Sequence, residues 1–115
     1  MNEADTRAEL IDKQLEASGW VTSIETGVRV RREYNINAGG IRASGMRTGQ
    51  LKADYVLEYK NIKLAVVEAK SNELDVSEGV AQAKLYAKKL RLQTSFATNG
   101  KEIYEINHKD NTEGK

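Results

Sequence analysis

Cysteine and proline are both absent from this chain, and histidine, tryptophan and phenylalanine occur once each. The lack of cysteine excludes a disulfide scaffold and a thiolate metal site. No apolar run approaches the roughly 20 residues that a membrane span needs, so no membrane partner is expected. The acidic start, Met1 to Asp5, has no signal-peptide core, which makes an intracellular location the default. A large charge imbalance is missing too. The net charge of +1 lacks the strongly basic footprint that would point directly to nucleic acid. The nine glycines form no repeat or low-complexity tract. What remains is a soluble globular composition, 39% apolar and 30% charged. Its 115 residues suffice for one domain, residues 1–115, with one core. His108, near the polar tail, is given no role.

The order of elements emerges from the hydrophobic periods. Thr6 to Ser18 reads as a helix with Leu10, Ile11 and Leu15 on one stripe, ended by Gly19. Trp20 and Val21 read as core. Val28 to Tyr34 alternates, Val28 and Val30 one way and Arg29 and Arg31 the other, as a half-buried strand with a basic outer face does. Asn35 to Gln50, with four glycines and with Arg42 and Arg47, reads as a mobile loop. Lys52 to Tyr59 and Lys63 to Ala69 form an expected antiparallel hairpin about the Lys60-Asn61 turn. The continuous apolar run Leu64 to Val67 suits a central strand. Asp75 to Arg91 is an expected helix with Val76, Val80, Ala83, Ala87 and Leu90 buried. Thr94 to Thr98 and Lys101 to Ile106 are expected to pair through a two-residue Asn99-Gly100 turn. His108 to Lys115 reads as a frayed tail. The expected fold is mixed α/β: a central mixed sheet flanked by helices, with a C-terminal hairpin.

The chemistry concentrates at two strand ends. An acid with lysine two residues later occurs at Glu58/Lys60, Glu68/Lys70 and Glu113/Lys115. Only Glu68 and Lys70 end an apolar strand, and Asp54 begins the strand before it. In an antiparallel hairpin those ends adjoin, so Asp54 and Glu68 meet despite the 13 residues between them. Glu68 and Lys70 leave the same face. Two adjacent carboxylates repel unless a cation joins them, and the set suits a divalent ion and a water activated beside a phosphate. A strand-end ion pair is the plainer alternative. Glu9 on the first helix could reach the same edge, or be an ordinary exposed glutamate. Gln82 and Tyr86, four apart, share one face of the later helix, either serving the site or covering the sheet. Arg29, Arg31, Arg32, Arg42, Arg47 and Lys52 form one basic group, and Lys84, Lys88, Lys89 and Arg91 a second; each is either a nucleic-acid contact or solvated surface.

Asp54, Glu68-Ala69-Lys70 and Gln82-Ala83-Lys84-Leu85-Tyr86 resemble, in order and spacing, the motifs of the PD-(D/E)xK nuclease superfamily. With Lys52 to Leu57 and Phe96 to Gly100 they look like the N-terminal nuclease domain of the restriction (motor) subunit of type I restriction enzymes, over roughly residues 6 to 106. Two departures stand out: Ala53 replaces the proline of the superfamily's name, and no GxxxxGK[ST] phosphate loop is present. The resemblance implies a restriction-endonuclease-like αβββαβ core within a fragment of a larger helicase-containing subunit. It implies Mg²⁺, with Mn²⁺ substituting, held by Asp54, Glu68, the Ala69 carbonyl and Glu9. Lys70 would orient the attacking water, and Gln82 and Tyr86 would position the DNA strand or the water. Arg29, Arg31, Arg42, Arg47 and Lys52 would hold double-stranded DNA by its phosphates. ATP would be used only by absent motor domains, sequence would be read by modification and specificity subunits, and the location would be the prokaryotic cytoplasm. A stand-alone Holliday-junction or repair nuclease, or a non-catalytic DNA-binding module of the same fold, are the alternatives.

Overall fold

The computed structural model describes residues 1–36 and 51–115. Most of the expected glycine-rich loop, with Arg42 and Arg47, lies outside the described residues.

The N-terminal helix begins earlier than Thr6. It comprises an α-helical turn Glu3–Thr6, a π-helical turn Arg7–Ile11 and an α-helical segment Asp12–Ala17. Asn2 caps it: its side chain accepts the Asp5 N–H at 2.8 Å, and Glu3 and Asp5 complement the positive helix end. The π turn carries one extra residue and shifts the phase of the Asp12–Ala17 segment relative to the first turn.

Among the described residues, six strands form one sheet in chain order: β1 Val28–Asn35, β2 Lys52–Tyr59, β3 Ile62–Ala69, β4 Thr94–Thr98, β5 Ile103–Asn107 and β6 Thr112–Gly114. All neighbours are antiparallel except β3 and β4, whose parallel pairing needs a crossover. A 3₁₀ turn, Val76–Gly79, and the second helix, Val80–Leu90, supply it. The β2–β3 turn is tight because Lys60 (φ +49°) and Asn61 (φ +69°) both adopt positive φ, as a hairpin turn of this length favours.

The core lies on both faces of the sheet. Tyr55, Leu57, Ala65, Val67 and Ala69 pack with Ile11, and Leu15, Trp20 and Phe96 close around them. On the other face Val56 and Val66 pack with Tyr86 and Ala87 of the second helix. From Tyr55 to Leu57 of β2 and along β3, odd and even positions thus serve different helices, the period-2 rule of a strand covered on both sides, whereas Ala53 at the start of β2 joins the second-helix side.

Two expectations fail at the C-terminal end. The β4–β5 connection has four residues, 99–102, rather than two. The Asn99 side chain accepts the N–H groups of Lys101 (3.0 Å) and Glu102 (2.8 Å), so an Asx-type turn replaces the tighter one. The tail is not frayed. β6 pairs with β5, Glu113 binds Lys84 and Tyr104, and His108 Nε2 lies 3.0 Å from Ser95 Oγ. Long-range partners outweigh the polar composition of the segment.

Candidate active site

Asp54 stands at the start of β2 and Glu68 near the end of β3, opposite each other in the antiparallel register. The ladder's last regular rung is Tyr55 with Val67. Beyond it the side chains take over. Asp54 N–H donates to Glu68 Oε2 at 2.9 Å, and Ala69 N–H donates to Asp54 Oδ2 at 2.8 Å. Each carboxylate is therefore fixed by the backbone of the other's strand, with one oxygen left for a further ligand. Glu68 is 2% exposed, and Ala69 is buried with its side chain in the opposite core face.

This environment disfavours two full charges. Burial pushes the Glu68 carboxyl up to about 8, and the neighbouring Asp54 charge adds to the shift. Asp54 is also raised, by burial first, against the opposing bond from Ala69 and the cations Arg7 and Lys70. Lys70 acts on Asp54, Glu68 and Glu3, yet makes no ion pair among the described residues. Its N–H donates to the Thr98 carbonyl at 2.9 Å. Its stem passes over Gly79, where an added Cβ would sit 3.4 Å from Lys70 Cγ and 3.3 Å from Ala97 Cβ.

The second helix faces this group. Gln82 Nε2 donates to Tyr86 Oη at 2.8 Å, and Tyr86 is 3% exposed. Burial, then the Glu68 charge, raises the tyrosine's pKa, which places its hydroxyl within the field of the acids. Asp54, Glu68, Lys70, Gln82 and Tyr86 are thus brought to one end of the sheet.

Glu9 is not brought there. It is exposed on the π turn, and the helix acid acting on Glu68 is Glu3. Burial and the Asp54 charge raise Glu3 in turn. A helix starting at Thr6 excludes Glu3, whereas Asn2 followed by Glu3 and Asp5, a cap and an acidic first turn, marks the earlier start. Arg7, one turn on, lies 2.6 Å from Glu33 and 3.6 Å from Asp54.

The basic residues divide. Arg29 and Lys52 are exposed. Arg31 instead lies 2.8 Å from the buried Glu58, whose second cation is Lys63 at 3.8 Å. It neutralises an internal acid. An apolar groove of about 170 Å³, lined by residues such as Leu15, Trp20, Val67 and Phe96, opens on the other face of the sheet and contains none of the acids.

The family model of the second domain of the type I restriction enzyme EcoKI endonuclease subunit matches residues 16–114. The chain belongs to this family of type I restriction enzyme endonuclease subunits. It is 32% identical over 104 residues to the type I restriction enzyme EcoAI endonuclease subunit of Escherichia coli, covering 87% of this chain and 12% of that protein. It also superposes, at TM-score 0.84 and 34% identity, on the fragment structure of a candidate HsdR subunit of a type I restriction enzyme from Vibrio vulnificus YJ016. That match covers 98% of this chain and 22% of the solved one. The expected restriction-endonuclease-like arrangement, with its mixed sheet and C-terminal hairpin, is thereby the fold of this family member. The chain spans less than a quarter of these relatives, so the activity of a whole type I restriction endonuclease subunit is a larger property than this site.

The divalent-cation expectation meets a donor set that fits it. Asp54 Oδ1 and Glu68 Oε1 take no hydrogen bond among the described residues, while their sister oxygens are anchored. No group of three or more His, Cys, Asp or Glu side chains among the described residues forms a dedicated cage. One or two carboxylates plus retained waters is the usual demand of Mg²⁺.

Proposed function

We propose that this chain is the Mg²⁺-dependent nuclease domain of a type I restriction enzyme, hydrolysing phosphodiester bonds of double-stranded DNA with no sequence preference of its own. The observation carrying the reading is the reciprocal bracing of Asp54 and Glu68, with Lys70 and the Gln82–Tyr86 pair at the same sheet end. A single nuclease domain would be one part of a larger subunit. ATP would be consumed by helicase-like domains elsewhere in that subunit, and modification and specificity subunits would choose the DNA in the prokaryotic cytoplasm.

Asp54 and Glu68, with the Ala69 carbonyl, would hold Mg²⁺ or Mn²⁺, which when bound supplies charge stabilisation to a phosphodiester. The backbone anchors keep both carboxylates from rotating, so their free oxygens stay preorganised. Lys70, without an ion pair among the described residues, would orient a water and offset negative charge on the phosphate. Gln82 fixes the Tyr86 hydroxyl, which would position the strand or that water. Glu3 takes the supporting place expected of Glu9. Arg29 and Lys52, with Arg42 and Arg47, would bind phosphates.

The test uses the assembled enzyme. Glu68→Gln and Lys70→Ala are expected to lower DNA cleavage by at least about 10²-fold, the scale of losing a preorganised charged group. ATP hydrolysis and the domain's melting transition should persist. Undiminished cleavage by either variant would overturn the assignment.

A further inference from the structure

Two charged groups at this sheet end have no part in the reading above: Arg7 and Glu33. Glu33 adopts φ +50°, a costly conformation for a residue with a side chain. It falls opposite Asp54 in the β1–β2 register, and this is the one rung missing between Arg32/Tyr55 and Tyr34/Ala53. Both strands change face across this point, with Tyr55 on the N-terminal-helix side and Ala53 on the second-helix side. Val30 packs against the N-terminal-helix side, whereas Tyr34 packs against the second-helix side.

Arg7 spans the gap between the two acids. Its Nη1 is 2.6 Å from Glu33 Oε2 and 3.6 Å from Asp54 Oδ1. Its guanidinium lies 5.1 Å from the centre of the Tyr55 ring, and its side chain is 18% exposed. Burial and ring packing hold the cation in this corner. Asp54 Oδ2 is already committed to the Ala69 N–H. The oxygen that Arg7 approaches is therefore the one open to another cation. A guanidinium and a divalent ion repel at such separations, so they compete for Oδ1. Glu33, exposed over half its side chain, is already the nearer anchorage of Arg7, and Asp54 is the more distant one.

We propose that Arg7, anchored on Glu33 and shared with Asp54 as a counterion, gives way to a divalent cation by withdrawing from Asp54 and staying on Glu33. Glu33 would thus be the acid that keeps Arg7 from blocking the site. This inference rests on the proposed metal-binding role of Asp54 and Glu68. Arg7 and Glu33 are positioning residues here, acting through Asp54.

The experiment is a double-mutant cycle on the 115-residue chain: wild type, Glu33→Gln, Arg7→Gln and the double variant, titrated with Mn²⁺ by calorimetry after each melt is recorded. Glu33→Gln should weaken Mn²⁺ binding roughly tenfold when Arg7 is present and less than about twofold when it is not, a coupling typical of contacting charges. Equal weakening in both backgrounds would mean simple loss of a distant negative charge, overturning the proposal while leaving the metal site standing. Absence of binding in all four proteins would remove the metal site and the proposal together. Should Arg7→Gln fail to fold, nitrogen NMR of the wild-type Arg7 side chain during Mg²⁺ titration decides the matter. Shifted guanidinium signals support the displacement, and unchanged signals at saturating Mg²⁺ overturn it.

Discussion

Glu68 is the most deeply buried acid among the described residues, almost sealed from water and facing a second acid. Its carboxyl, raised to about 8 by burial and by Asp54, keeps its proton in the folded protein over a range where the unfolded chain, near 4.5, has lost it. The folded state then binds more protons, so this residue's contribution to stability is full below about pH 4.5 and lost as pH rises through about 8. Glu68→Gln keeps an oxygen for the Asp54 N–H and removes the titration. Urea unfolding of the metal-free chain at about pH 5 and about pH 8 should show a larger loss in wild type than in this variant. Identical losses would refute the assignment. The Asp54–Glu68 pairing was legible in sequence because a two-strand hairpin fixes which ends meet. Glu33 was not, because its part depends on a positive φ that no residue pattern at Glu33 announces.

Among the elements, the N-terminal helix is seated on the β4–β5 turn by a glycine. Gly100 has φ +84°, and its carbonyl accepts Gln14 Nε2 at 2.9 Å. A Cβ there would come within 2.7 Å of Leu10 Cδ1 and 2.9 Å of Leu10 Cβ. Gly100→Ala combines backbone strain with a collision against the helix and should cost about 1–3 kcal/mol. By calorimetry the melting temperature should fall by roughly 5–15 °C; an unchanged transition would refute this packing role. The Asn99-Gly100 signal marked the right place for a turn. The side-chain acceptor of Asn99 then selected a longer loop, a choice between competing hydrogen bonds that the dipeptide alone leaves open. Likewise, Leu10, Ile11 and Leu15 announce a helix, but the π turn that carries the exposed Glu9 has no such periodic mark.

At the scale of the molecule, a net charge of +1 makes the chain a weak electrostatic partner for DNA by itself. Arg31 is occupied by Glu58, and Arg29, Lys52, Arg42 and Arg47 remain as the proposed phosphate contacts. Four neutralised phosphates give a slope of log affinity against log salt of roughly −3 to −4 on duplex DNA, independent of sequence. Filter binding over a salt series measures it; a markedly steeper slope would mean that other cations carry the contact. On the proposed function, a domain that binds DNA this weakly would rely on the remainder of a larger subunit to bring it to DNA.

The exchange of backbone for side-chain bonding at the end of β2 and β3 also gives the protein an isotopic label for its own site. The amide protons of Asp54 and Ala69 are sheltered by carboxylates rather than by a neighbouring strand. Their replacement by deuterium therefore times the persistence of the acid pair, while the amides of Val66 and Val67 time the sheet. In Asp54→Ala, the Ala69 amide should exchange faster while those of Val66 and Val67 keep their rates, as NMR of the chain in heavy water would record. The groups assigned to chemistry thus also serve as the last fastening between two strands, and the opening of the site can be tracked atom by atom without any substrate present.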